Sequence, residues 1–130
     1  MTLEIRRAKK SEAKPLIGLY AQSGMGKTMS ALLMARGFAG PLGKVVMIET
    51  EGGRGEAYVD TLPGGYEVIS IRGNFASTKF GEAITLAEKS NAAVLIIDSA
   101  SLEWSGAGGV LSQAAERQDA NRKDDTPDTI

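Results

Sequence analysis

Ala21-Gln22-Ser23-Gly24-Met25-Gly26-Lys27-Thr28 is the stretch on which the reading of this chain turns. It fits the phosphate-loop pattern, except that Ala21 stands where the first glycine is usual. A loop that wraps a row of phosphates must turn its backbone N–H groups inward, and Gly24 and Gly26 permit the close approach and the unusual dihedrals this needs. The helix that follows presents its N-terminus to the same anion. Lys27 reaches the outer phosphate oxygens as a point charge, and the Thr28 hydroxyl is the expected Mg²⁺ ligand. Ala21 needs only to be small at a strand exit. About one chain in a hundred of this length would carry such a match by chance, given average residue usage, and a strand-loop-helix setting makes chance rarer still.

Outward from the loop, that setting is present. Pro15–Tyr20 is short and apolar and reads as a strand leading in. Lys27–Phe38 reads as a helix with Met29, Leu32, Leu33, Ala35 and Arg36 on a wide apolar face. Gly40, Pro41 and Gly43 stop it. Val45–Ile48 is a second buried strand, and Tyr66–Ile71 a third, introduced by the turn Pro63-Gly64-Gly65. A helix from Ser77 or Thr78 to Lys89 aligns Phe80, Ala83, Ile84 and Ala87. Ala93–Ile97 is a fourth strand, closed by Asp98, and a last helix runs from Val110 to about Arg117 after the loop Ser99–Gly109. Tyr20 and Phe38 are expected in the core. Apolar strands separated by amphipathic helices imply a mostly parallel sheet in a three-layer α/β/α fold. Ligands of such sheets sit beyond the carboxyl ends of the strands, and the chemical residues fall there. Asp98, ending an apolar strand downstream of the loop, is expected to hold the Mg²⁺ shell next to Thr28.

Composition narrows the chemistry. The 130 residues carry no cysteine and no histidine, so disulfides, thiol nucleophiles and Ser-His or Cys-His arrangements are excluded. Lys and Arg number 15 against 16 Asp and Glu, which argues against wholesale electrostatic coating of nucleic acid. The longest apolar run, Ala92–Ile97, falls far short of the roughly 20 residues of a membrane span, so no membrane partner is expected and the cytoplasm is the expected location. Residues 1–14, with Arg6, Arg7, Lys9, Lys10 and Lys14, read as a basic tail. Residues 15–117 read as the nucleotide-binding domain, and residues 118–130, with Asp119, Asp124, Asp125 and Asp128, as a polar acidic tail.

Hydrolysis of a nucleoside triphosphate needs a group that orients the attacking water. Glu49, Glu51 and Glu103 are placed for it, and Arg54 is a candidate phosphate sensor. Trp104, in a loop with Gly106, Gly108 and Gly109, could stack on a single-stranded base or cover the sheet edge. Together the phosphate loop, Ile48-Glu49-Thr50-Glu51 and Ile97-Asp98-Ser99 resemble the RecA-like ATPase core. More narrowly, Glu49-Thr50-Glu51-Gly52-Gly53-Arg54 and Asp98-Ser99-Ala100-Ser101-Leu102-Glu103-Trp104 resemble bacteriophage-encoded nucleotide-binding proteins of the AAA/RecA type. The resemblance runs over roughly residues 15–112. It implies a P-loop NTPase fold, ATP as ligand or substrate with Mg²⁺, and Glu51 and Lys27 as catalytic residues. It also implies work beside single-strand annealing proteins, with single-stranded DNA or a phage recombination protein as partner, and sites completed by a neighbouring copy.

One feature departs from that pattern. RecA-like cores insert a further strand between the Asp98-type strand and the phosphate-loop strand, whereas only 31 residues follow Ser99 and the last of them are polar. The expectation is a sheet incomplete at its C-terminal side: either the chain is a shortened product or fragment, or the two strands flanking the gap close up against each other, or a partner fills the slot, with hydrolysis weak or absent in the isolated chain. The competing functions are a non-catalytic nucleotide-binding module acting through a partner and a small-molecule phosphotransferase. The second is disfavoured, because no arginine lies between Arg72 and Arg117 to build a lid.

Overall fold

The computed structural model describes residues 2–9, 14–22, 24–53 and 56–124. At its centre, Val45–Glu49 (β1) is buried at every position. A strand this apolar, Val45-Val46-Met47-Ile48, is stable only with a neighbour on each side and cover on each face. Glu67–Ser70 (β2) and Val94–Asp98 (β3) supply the neighbours, both parallel, in the order β2-β1-β3. The architecture is α/β, compatible with Rossmann-like and phosphate-loop folds.

Helices Lys27–Ala39 (α1) and Ser77–Lys89 (α2) supply the cover. Successive side chains of a strand point to opposite faces. Met47 of β1 clusters with Leu32 of α1 and with Leu62, while its neighbour Ile48 clusters with Phe80 and Ala83 of α2 and with Ile71. The two helices therefore lie on opposite faces of the sheet. α1 packs chiefly on β3 and less on β1. It stops at Gly40, whose φ of 75° suits glycine and whose N–H donates to Arg36 O at 3.0 Å. The Arg36 guanidinium then ties this helix end to the turn before β2, donating to the carbonyls of Gly40 (3.0 Å), Gly43 (2.6 Å) and Gly65 (2.6 Å).

The elements expected from the sequence recur within a residue or two at their ends, with four differences. Pro15–Tyr20 is not a strand: it joins no ladder, and Leu16 and Tyr20 are fully exposed. Its sequence is a weak strand former, since Pro15 has no N–H and Gly18 no side chain, and β3 pairs only with β1 among the described residues. Tyr20 and Phe38 lie outside the core. Phe38 falls on one flank of α1 and Leu33 on its outer side, neither reached by the sheet, the buried positions being Leu32 and Ala35. The loop after β3 contains a short helix, Ser101–Ser105 (α3). The last helix, Val110–Asp124 (α4), runs past Arg117 into the segment read as a tail, because Gln118–Asp124 contains no glycine or proline to stop it. Asp125 and Asp128 of that tail, and Lys10 of the basic one, lie outside the described residues. No helix among the described residues is long and apolar enough to cross a membrane.

The two faces of α2 should respond differently to truncation. Phe80 is 3% exposed between β1 and β2, and its replacement by alanine is expected to cost about 3–5 kcal/mol in urea denaturation. Leu86→Ala, at a position 57% exposed on the same helix, should cost under about 1 kcal/mol. Equal losses would show that α2 is not seated as described.

Candidate functional site

Parallel pairing in register brings the carboxyl ends of the three strands level: Glu49 stands opposite Ser70 on one side and Asp98 on the other. The loop before α1 arrives at this same end. Gly24 and Gly26 both have φ of 82°, a conformation that glycine adopts without strain. A Cβ at either position would meet no atom within 4 Å, so the demand for glycine here is one of dihedral angle rather than of space. Met25 N–H donates to Gln22 O at 3.3 Å and closes the turn. Gly26 then caps α1 without any side-chain bond to the first helical amides, the kind of helix end whose free N–H groups can receive an anion.

Lys27 and Thr28 open the helix and diverge. The Lys27 ammonium folds back across the loop and donates to Ala21 O at 3.3 Å. The Thr28 hydroxyl donates to Asp98 Oδ2 at 2.6 Å, joining residues 70 apart in sequence. A hydroxyl–carboxylate bond this short is charge-assisted. It sets two hard oxygen donors side by side at the mouth of the loop. No cluster of three or more metal-ligating side chains occurs among the described residues. Mg²⁺ in phosphate sites is held by one or two protein oxygens, with water and substrate phosphates completing the octahedron, and the Thr28–Asp98 pair is a donor set of that kind.

Thr50, which is buried, stitches β1 to β3 beyond the ladder. Its N–H donates to Asp98 O at 3.1 Å, and its Oγ1 accepts from Ser99 N–H at 3.1 Å. Glu49 is the surprise of the site. Only 1% exposed, its carboxylate accepts from the N–H groups of Glu51 (3.2 Å) and Gly53 (3.2 Å), from Ser70 Oγ (2.8 Å) and from Arg72 (3.1 Å). A buried carboxylate is tolerated only when its oxygens are filled in this way. The turn that carries Glu51 is thereby pinned from both ends, by Thr50 to β3 and by Glu49 to its own amides. Glu51 itself is exposed on that turn.

The structure thus gathers Ala21, Gln22, Gly24, Met25, Gly26, Lys27, Thr28, Asp98 and the Glu51 turn at one end of the sheet; Ser23 and Arg54 lie outside the described residues. Glu103 sits half-buried in the first turn of α3 rather than in an exposed loop. Trp104 is 58% exposed on the same helix. Its glycine-rich surroundings are held in place: Phe75 N–H donates to Ala107 O at 2.8 Å, and a Cβ on Gly106 would strike the Phe75 ring at 2.7 Å. The sequence reading missed the roles of Thr50, Ser70 and Arg72. The available signal was Glu49 itself, a carboxylate closing a wholly apolar strand, which demands partners on the adjoining strand ends.

Replacing Glu49 by glutamine keeps its shape and removes its charge, so two N–H donors and Arg72 lose half their acceptor. The expected loss is about 1–3 kcal/mol by thermal or urea denaturation. Arg72→Met, at a side chain 58% exposed, should cost under about 1 kcal/mol. The reverse ranking would mean that Arg72, and not the turn amides, is what holds Glu49 in place.

No protein-family model, curated protein or solved structure matches the chain.

Proposed function

We propose that the chain binds ATP with Mg²⁺ at the Ala21–Thr28 loop and acts as a RecA-like ATPase in phage DNA recombination or replication. The observation that carries the nucleotide reading is the 2.6 Å bond between Thr28 and Asp98. An apolar strand ending in Asp is common and says little alone; its side chain meeting that of a phosphate-loop threonine at the carboxyl end of a parallel sheet is what a metal–phosphate site requires. The DNA role rests on the family resemblance and on the basic residues Arg6, Arg7 and Lys9.

In this reading the chain's own residues divide the work. The amides of Gly24 to Thr28 and the α1 N-terminus receive the phosphate chain. Lys27 exchanges Ala21 O for a phosphate oxygen, a move that costs little because that bond is long. Thr28 and Asp98 would hold the metal. Mg²⁺ bound there would offset negative charge on the outer phosphates. Glu51, on its pinned turn, is the group assigned to orient the attacking water. Positioning and charge complementarity supply most of the catalysis in phosphoryl transfer, so a site missing a neighbour's cation binds better than it turns over.

Titration with a fluorescent ATP analogue tests this. Wild type is expected to bind in Mg²⁺, and Lys27→Ala to bind at least about tenfold more weakly, the loss of one charged contact. Asp98→Asn should erase the Mg²⁺ dependence. Hydrolysis by the isolated chain should be weak, and stimulation by single-stranded DNA would favour the recombination role. Transfer to a nucleoside monophosphate would favour a kinase instead, and no binding of ATP or GTP would end the nucleotide reading.

A further inference from the structure

The outer edge of β3 is bare of a partner among the described residues, yet β3 reads Val94-Leu95-Ile96-Ile97, a sequence suited to a strand paired on both sides. It carries none of the lysines, prolines or bulges that protect natural edges. The helix above it shows which way the missing neighbour lies. Arg36 points toward Gly65 at the start of β2, so the opposite flank of α1, with Ala31, Met34 and Phe38, overhangs the β3 edge; Met34 is 38% and Phe38 61% exposed there.

Crossover chirality gives a second, independent argument. Connections between parallel strands are right-handed in nearly all sheets. The β2-α2-β3 connection crosses the sheet from the β2 edge to the β3 edge with its helix on one face. α1 lies on the opposite face, so a right-handed connection through α1 into β1 must run the opposite way, starting beyond β3. Position agrees: α2 covers β1, the strand between the two it joins, and α1 packs chiefly on β3. By the same rule, the strand entering α1 sits one place beyond β3.

From these observations we infer that the outer edge of β3 is the seat of the chain's own Pro15–Tyr20, which docks there as a fourth parallel strand beneath the Met34–Phe38 flank of α1. The structure holds the segment off that edge, with Leu16, Ile17, Leu19 and Tyr20 all substantially exposed. The tether fits. Ala21 is held by Lys27, the neighbour of the residue bonded to Asp98, so the segment approaches β3 at its carboxyl end and runs parallel to it. At about 3.3 Å per residue, six residues span about 20 Å, enough to cover the five of β3. This seat differs from the RecA-like arrangement, in which a further strand separates the two.

The cysteine-free sequence makes the test direct. Leu19→Cys is combined in turn with Leu95→Cys, Ile96→Cys and Ile97→Cys, and oxidised with and without Mg²⁺–ATP. Adjacent strands at about 4.8 Å satisfy disulfide geometry, whereas strands two places apart do not. At least one pair should close within the monomer in either condition, so the result does not depend on nucleotide binding. In the wild-type chain under the same conditions, the amides of residues 16–20 should exchange hydrogen at least about tenfold slower than an unstructured peptide. Exchange at the unstructured rate overturns the proposal, as do disulfides formed only between chains. Failure of all three pairs to close overturns it even if the amides are protected, because a strand seated elsewhere would protect them too.

Discussion

Register across three parallel strands is the constraint on which this molecule depends. β1 pairs with β2 and β3 so that Ser70, Glu49 and Asp98 end level. Because side chains alternate with period two, a slip of one residue on β1 would turn Met47 and Ile48 to the wrong helices and send Glu49 away from its partners. The same register that sorts apolar side chains between α1 and α2 therefore delivers the polar ones to the sheet's end. Core packing and site assembly are one event here. A variant that loosens the first must also disperse the second.

Two carboxylates stand next to each other at that end and are handled differently. Glu49 is shut away from water and answered by two amides, a hydroxyl and a guanidinium. Oε1 accepts from Gly53 N–H, Ser70 and Arg72 and Oε2 from Glu51 N–H, which makes the carboxylate a fixed post for the 51–53 turn. Asp98 is only half-buried, and among the described residues its side chain is bonded by one neutral hydroxyl, that of Thr28. A carboxylate with capacity to spare is the one that, in the proposed site, would share a cation. The division of labour follows from hydrogen-bond count rather than from residue type.

Much of this was legible in the sequence, because the decisive signals are local. Phe80, Ala83, Ile84 and Ala87 repeat at helical spacing, and all are buried or half-buried on α2. The Gly24 and Gly26 dihedrals follow from the loop motif, and the pairing of Thr28 with Asp98 follows from strand-end logic. What stayed hidden depends on distance through space. Arg72 as a partner of Glu49 requires knowing that β2, and not another strand, lies beside β1. Phe38 is expected in the core on its hydrophobicity alone, although helical spacing sets it well round from Leu32 and Ala35, and among the described residues no strand lies beyond β3 to cover it. The helical course of Gln118–Asp124 was masked by its polarity: α4 touches little beyond α3, so it has almost no apolar pattern to display.

The exposed Pro15–Tyr20 segment shows how closely such a sheet can be balanced. Burying Leu16, Ile17, Leu19 and Tyr20 would gain about 1.5–3 kcal/mol for each side chain fully covered. Fixing six backbones costs about 1–2 kcal/mol each, and one of the six is Gly18, the most costly kind of residue to order. Hydrogen bonds to the β3 edge add only about 1 kcal/mol apiece. Burial and ordering nearly cancel, and the hydrogen bonds leave the docked strand ahead by a few kcal/mol at most, a margin that events at the segment's C-terminal end can widen. Ala21 is where the segment becomes the loop, and any anion that fixes the loop also fixes the direction of the residues before it. Ordering a few loop residues lowers the entropy still to be lost by the strand. A ligand at Lys27 and a strand on β3 would then favour each other without touching, each stabilising the other by the order it has already imposed.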